Sequence, residues 1–466
     1  SSFQNVLGMS FGFFLAFLNT LLLTRNFTIT EYGIFGVVLL VTDYIFIISI
    51  LGFNEGVTKF ISSSKQELIK DKVLSVFSIS VKLLLPFTII CSLILYSQAP
   101  LLSSLFEIPK LSYYLKLFAL VIPFNALLQI IVFSYRGIKK TFEKVLFLDI
   151  LPKLLRTTFF LFIIYNEMNF DFIIYSYVLS IFVSSILLLV YFSKDIGLLN
   201  FPEESVDYND ILKFSFPFLL TTLIWKFQNT LDRWLISLMN SSDDLAIYNI
   251  GLLIIDYFKL IVASVGFMLL PVLSSLIRDN NFTIVSSTYY QLTRIILLFI
   301  YPIILILVLF SEELLTSLFG SKYVEGYFLL IVSSTTFFLN SITGPKGIAI
   351  ISYGRSNYLL SASLITTIAS IFPTYYLIKI HGILGAIFAT SFTLIFFNLL
   401  LFWFLSKKLD LQPFDRKYFN YILLISLNFI LSLLIKFYFT WNLLLVIFSF
   451  ALLSFIFIQI HFYFFE

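Results

Sequence analysis

The chain has 466 residues, 59% of them apolar and only 12% charged, with a mean hydropathy of +0.99. A soluble domain of this length needs far more polar surface, so the composition excludes a water-borne globular protein and points to a bilayer. The net charge of +4 is scattered over short gaps between apolar runs; it builds no domain-sized basic surface, and no nucleic-acid partner is expected.

A membrane-crossing helix needs roughly 20 mostly apolar residues. Continuous runs of that length exclude barrel strands, which are about 10 residues with strict alternation. Fourteen spans are predicted in chain order, at 3–24, 33–53, 73–97, 113–135, 145–165, 171–192, 211–238, 247–271, 285–310, 327–352, 357–378, 383–406, 418–436 and 441–463. Span 1 is long enough to be a membrane helix itself rather than a cleaved leader. The gap after span 2 carries Lys59, Lys65, Lys70 and Lys72, the gap after span 4 carries Arg136, Lys139, Lys140 and Lys144, and the gap after span 12 carries Lys407, Lys408, Arg416 and Lys417. The gaps after spans 6, 8 and 10, with their margins, add Lys194, Lys213, Arg278, Arg294, Lys346 and Arg355. The alternate gaps hold only Arg25, Lys110, Lys116, Lys322, Lys379 and Lys436. By the positive-inside rule, both termini are cytoplasmic.

The longest gap, about 193–210, contains the acidic run Phe201–Asp210 and divides the chain. The expected organisation is an N-terminal lobe at 1–200 (spans 1–6), a C-terminal lobe at 201–406 (spans 7–12), and two appended spans at 407–466. The halves echo each other. Phe17-Leu-Asn-Thr-Leu21 in span 1 resembles Phe227-Gln-Asn-Thr-Leu231 in span 7, offset by 210, and Asp43-Tyr44 resembles Asp256-Tyr257, offset by 213. Six spans separate the copies, so both start on the same side of the membrane and form parallel repeats. The fold class is an all-α integral membrane protein of about 14 helices, two six-helix lobes plus two helices. Pro86, Pro123, Pro217, Pro302 and Pro373 lie in or near spans; each removes a backbone donor and can kink a helix, as a hinge or as ordinary membrane-helix shape.

A charge inside the membrane costs roughly 2.5–3.5 kcal/mol on the insertion scale, so it faces a bundle interior or a wet cavity. Span 7 carries Thr222, Lys226, Asn229, Thr230 and Arg233 near one helical face, with Asp232 about 100° around the helix. Span 5 carries Asp149, Lys153 and Arg156 at i, i+4 and i+7, and the first two are spaced for an ion pair. Span 8 adds Asp256 and Lys259, span 3 Lys82, and span 2 Asp43 near its middle. Lys226, Arg233, Arg156, Lys153, Asn229, Lys82 and Lys259 are the candidates for a cationic cavity that holds an anionic headgroup, because guanidinium and ammonium groups suit phosphate oxygens. The competing reading is internal pairing, or snorkelling for Lys153. Asp43, Asp149, Asp232 and Asp256 are candidates for ion coupling or charge pairing. Cys91, His381 and His461 are too few to build a metal cluster or an intrachain disulfide. No cofactor is expected beyond H+ or Na+ as a coupling ion.

Four segments carry a family resemblance. Thr30-Glu-Tyr-Gly-Ile-Phe-Gly36 resembles the EYG segment of polysaccharide transporters, and Leu51-Gly-Phe-Asn-Glu-Gly-Val-Thr-Lys59 their glycine-containing end of helix 2. Lys213-Phe-Ser-Phe-Pro217 followed by Asp232-Arg233 resembles the opening of their second lobe, and Gly382-Ile-Leu-Gly-Ala386 with Ala389-Thr390 the start of helix 12. In this order on a fourteen-helix frame, the chain resembles the Wzx-type lipid-linked oligosaccharide flippases of the multidrug/oligosaccharidyl-lipid/polysaccharide (MOP) exporter superfamily. The resemblance implies two lobes around a central cavity in the cell (plasma or inner) membrane. It also implies ion-coupled transfer of a polyprenyl-(pyro)phosphate-linked oligosaccharide to the outer leaflet. Polysaccharide polymerase and glycosyltransferases would be partners, and the chain is expected to work as a monomer among membrane lipids. The small residues at 382, 385 and 386 also read as close helix packing.

Two alternatives were weighed. A multidrug or cation antiporter of the same superfamily should line its cavity with acidic residues, whereas cations dominate spans 5 and 7. A membrane glycosyltransferase or polymerase should place carboxylates in a substantial outer loop, and the first outer gap, Arg25 to Glu31, is too short. No phosphate-binding glycine loop or nucleophile elbow appears. If the cationic cavity is real, replacing Lys226 and Arg233 together by Gln abolishes transport while membrane expression persists; undiminished transport rejects it. If Asp43 and Asp256 couple an ion, Asn at both positions stops driven transport; transport that survives removes that role.

Overall fold

The computed structural model describes residues 2–62, 69–197, 207–409, 411, 414 and 416–438. Span 14 and His461 lie outside the described residues, as do Lys65 and most of the acidic linker. The described chain is helical throughout. Unit 1 begins with α1 (Ser2–Asn26), α2 (Ile29–Ser49), α3 (Phe53–Ser62) and α4 (Ile69–Leu105). It continues with α5 (Leu111–Ala119), α6 (Val121–Gly137), the short α7 (Thr141–Lys144), a π turn (Val145–Ile150), α8 (Leu151–Tyr165), α9 (Asp171–Asp195) and α10 (Tyr208–Met239). Next come α11 (Ser242–Arg278), α12 (Phe282–Leu309), α13 (Ser311–Phe319), a 3-10 turn (Ser321–Gly326), α14 (Tyr327–Ser341), α15 (Lys346–Ser352), α16 (Ser356–Lys408) and α17 (Arg416–Tyr438).

Among the described residues, eight helical segments are long and apolar enough to cross a membrane. They account for spans 1–4, 6 and 9–12, because α16 is two spans joined at Gly382. Spans 5, 7 and 8 fall on α8, α10 and α11, the helices that carry most of the intramembrane charges. Span 13 falls on α17.

Contacts group the chain into two compact units, Ser1–Ala246 and Ile247–Glu466. The first includes α10, which packs against α2 and α3. The core of unit 1 joins Phe53 and Val57 of α3, Val76 of α4, Ile131 and Tyr135 of α6, Phe192 of α9 and Ile211 of α10. Unit 2 has one core of Leu297, Tyr301 and Leu305 with Tyr418 and Ile425, and another of Tyr289, Ile350, Leu401 and Leu405.

Two backbone devices shape these helices. Pro123 has no N–H to give the carbonyl of Ala119, and the helix breaks at Leu120, between α5 and α6. The Ser92 hydroxyl on α4 donates to that freed carbonyl at 2.6 Å. Pro86, Pro217, Pro302 and Pro373 stay inside continuous helices. The second device is a capping box. The Thr28 hydroxyl accepts from the Glu31 amide while the Glu31 carboxylate accepts from Thr28, at the start of α2. Ser241 and Asp244 make the same reciprocal bonds at the start of α11. That second box lies 213 residues after the first, the same offset that relates Asp43-Tyr44 to Asp256-Tyr257, so the internal repeat has a structural counterpart.

Gly382 adopts φ 56° and ψ −134°, a conformation open in practice only to glycine. Past this corner, Gly385 passes so close to the Leu377 carbonyl that a Cβ would overlap it. Gly385→Ala should therefore destabilise the protein by about 2–3 kcal/mol, read as a lower thermal-unfolding temperature in detergent. The matched control Gly347→Ala, whose new methyl meets only Leu359 at 3.8 Å, should stay within about 0.5 kcal/mol of the parent.

Candidate substrate site

The site in unit 1 is built on the seam between α2 and α10. Small residues set the approach: a Cβ at Gly33 would overlap the Ser242 carbonyl, and Gly52, held at φ +72°, lies against the Ser215 carbonyl. Between these ends the contacts are polar. The Tyr44 hydroxyl and Thr230 Oγ1 are 2.7 Å apart, and the Tyr44 ring meets Trp234 edge-on, with centroids 5.4 Å apart. One turn away from Thr230, Lys226 Nζ donates to Asp43 Oδ2 at 2.8 Å. Asp43 keeps 54% of its side-chain surface exposed and Lys226 22%. A carboxylate left exposed within a span is expected to face water and not hydrocarbon.

The second wall comes from α8 and α9. The Arg156 guanidinium sits over the Tyr177 ring, 4.2 Å from its centroid, and its Nε donates to the Pro152 carbonyl at 3.1 Å. Tyr177 is itself wedged between Phe118, stacked at 5.0 Å, and Phe35, edge-on at 5.6 Å. Contacts thus join Asp43 to Lys226 across α2 and α10, and Arg156 to Tyr177 across α8 and α9. Two opposing charges are paired, and one guanidinium rests on an aromatic face.

The remaining predicted residues are placed differently. Asp149 and Lys153 do not form the ion pair that their spacing allowed. Asp149 sits on the π turn that precedes α8. Its Oδ2 is buried without a hydrogen-bond partner, and Lys153 Nζ lies 5.6 Å from the Phe13 ring centroid. On α10, Asn229 bonds back to the Trp225 carbonyl and Arg233 to the Asn229 carbonyl. Asp232 is buried at 5% exposure and acts on the Tyr44 hydroxyl. Lys82 is exposed on α4. In unit 2, Asp256 pairs with Lys259 on its own helix at 2.9 Å. The echoed Asp-Tyr motif thus takes its lysine from another helix in one copy and from the same helix in the other. Among the described residues, no group of three or more His, Cys, Asp or Glu could hold a metal ion.

Sequence reasoning missed three contributors. Tyr177 was one aromatic residue among many, with no signal to single it out. Asn19 ties α1 to α8: its Nδ2 donates to the Lys153 carbonyl at 3.1 Å and its Oδ1 accepts from Thr157 at 2.9 Å. Its place in the repeated Asn-Thr-Leu motif was a usable signal. Lys346, counted as a cytoplasmic charge, is buried at 3% exposure. Its ammonium donates to the Asn340 carbonyl at 2.8 Å, to Asn340 Oδ1 at 3.2 Å and to the Thr343 hydroxyl. All three of its protons are used to bridge the break between α14 and α15. The Gly344-Pro345 interruption of span 10 was the available clue.

Glu31 and Gly33 of the EYG segment serve as a helix cap and a close-contact point, and Glu55 of the next motif pairs with Arg136 at 2.9 Å. At the rim, outside the spans, Asp195 grips Lys140 with both oxygens at 2.9 and 2.7 Å. That hydrogen bonding holds the ammonium above the usual lysine range. The motif residues are therefore architectural.

Residues 22–328, well over half of the chain, match the model of the family described as polysaccharide biosynthesis protein. The chain belongs to this family. A putative O-antigen transporter of Shigella flexneri is 25% identical over 177 residues, which are 38% of this chain and 42% of that protein. The chain thus spans about two fifths of the length of that curated relative. Among solved structures, the lipid II flippase MurJ in an inward closed conformation is similar with a TM-score of 0.77 and 17% identity, covering 98% of each chain. An inward-facing multidrug resistance MATE family transporter of the MOP superfamily is similar with a TM-score of 0.72 and 14% identity, over 85% of this chain and 94% of that one. The family member described here has the MOP fold. It is a multi-pass membrane protein.

Proposed function

We propose that the protein is a flippase that moves a polyprenyl-(pyro)phosphate-linked oligosaccharide from the cytoplasmic to the outer leaflet of the cell membrane by alternating access. The observation that carries this reading is the cluster in unit 1, where Arg156 lies over Tyr177 beside the wet Asp43–Lys226 pair. Two cations at bilayer depth suit a phosphate or pyrophosphate, which offers oxygens in the geometry that guanidinium and ammonium groups bind. Tyr177 presents an aromatic body and a polar tip, which suits the junction between headgroup and sugar. The family supplies the setting of polysaccharide assembly, in which glycosyltransferases and a polymerase act before and after the transfer.

The same reading places both termini in the cytoplasm, from the alternation of basic gaps. It has the protein act as a monomer driven by an H+ or Na+ gradient. Asp43 and Asp256 are both engaged with lysines, so a coupling role for either requires its pair to open.

The test is leaflet transfer of a lipid-linked oligosaccharide by purified protein in liposomes. Arg156→Gln and Lys226→Gln should each slow transfer about 10- to 100-fold, the worth of a charge-assisted hydrogen bond, and Tyr177→Leu should lower it while Tyr177→Phe retains most of it. Drug efflux without lipid transfer would assign the protein to the multidrug exporters instead.

A further inference from the structure

Three ion pairs of unit 1 have different geometries. Lys140 is gripped by both oxygens of Asp195, and Arg136 meets Glu55 at the rim. The Asp43–Lys226 pair differs from the Lys140 pair in being held by a single bond, and it sits at bilayer depth. Its unused capacity is large. Lys226 retains two N–H donors and Asp43 retains its second oxygen, on a side chain 54% exposed to the cavity. The seam does not depend on this bond alone. The Tyr44–Thr230 bond and the Tyr44–Trp234 contact also hold α2 to α10, and the close approaches of Gly33 to Ser242 and of Gly52 to Ser215 flank them.

We infer that Asp43 is the resident anion of the headgroup site, a carboxylate that occupies Lys226 until a lipid phosphate displaces it. The proposal rests on the flippase reading and adds the event that starts transport. Lys226 exchanges one anionic oxygen for another and is never left as an uncompensated charge in the protein interior. A monodentate carboxylate is the weaker partner. A phosphate brings several oxygens, enough to engage both Lys226 and the Arg156 guanidinium, which bonds the Pro152 carbonyl and lies over the Tyr177 ring. Exchange removes the Asp43–Lys226 bridge between α2 and α10, helices that the repeat assigns to different lobes. A neutral lipid cannot make this exchange, so the resident carboxylate also selects for an anionic headgroup.

The experiment measures binding of farnesyl phosphate, with farnesol as the uncharged control, to purified full-length protein in detergent. The variants are Asp43→Asn, Lys226→Gln and the double substitution, with thermal unfolding confirming that each is folded; Asp43→Ser replaces Asp43→Asn if the latter does not fold. Removing the competitor should tighten farnesyl phosphate binding about fivefold, the equivalent of one partly exposed ion pair. That gain should vanish in the Lys226→Gln background, and farnesol binding should not change in any variant. Unchanged or weaker binding by Asp43→Asn overturns the proposal. So does an equal gain in the Lys226→Gln background, which would show a long-range field and no hand-over. If no variant binds farnesyl phosphate, the anion-site reading falls and the hand-over with it.

Discussion

Hydrocarbon cannot solvate an ion, so every charge in a membrane span must find a partner, a dipole or water. This constraint organises the protein more than apolar packing does. In lipid, packing alone gives little preference for one helix neighbour over another. Lys346 answers the constraint with three oxygens across a helix break, and Lys259 with the carboxylate one turn back on its own helix. Lys226 answers it with a carboxylate on another helix, and that carboxylate keeps 54% of its side-chain surface exposed. Lys346 has all three donors engaged, whereas Lys226 retains donors that its single bond leaves unused.

The scaffold makes that arrangement achievable. Glycines flank the polar contacts between α2 and α10: Gly33 lets α2 approach the start of α11 at Ser242, and Gly52, just after α2, lets the chain approach α10 at Ser215. On the far wall, Asn19 fastens α1 to α8 next to the π turn, fixing the rise from which Arg156 projects toward Tyr177. Aromatic residues then hold Tyr177 from two sides. The result is a guanidinium and an ammonium on different helices, each positioned by neutral neighbours, around an opening lined by a carboxylate and a phenol.

Much of this was legible in the sequence. Apolar runs and the alternation of basic gaps gave the helices their order, and the repeat was visible in two short echoes that the structure extends to a pair of capping boxes. Helical periodicity places Lys226 and Arg156 on faces with other polar groups. The π turn at Asp149 was not legible, because no residue type announces one reliably. Nor was the burial of Lys346, which depends on the partners that the break in span 10 brings together. Which lysine pairs with Asp43 could not be read at all, since 183 residues separate the two and the choice is made by helix packing. The packing boundary after Ala246 was not legible for the same reason: the linker marks a boundary in sequence, while α10 follows its contacts.

The corner at Gly382 carries a practical consequence. Two spans meet there within one continuous helical assignment, with a single residue in a non-helical conformation and a contact between Gly385 and the Leu377 carbonyl directly behind it. The chain offers no slack at this edge. An epitope tag, fluorescent protein or protease site grafted between residues 378 and 386 would have to pry the hairpin apart, whereas a true loop would absorb it. Reporters meant to follow this protein in a living cell belong elsewhere on the chain.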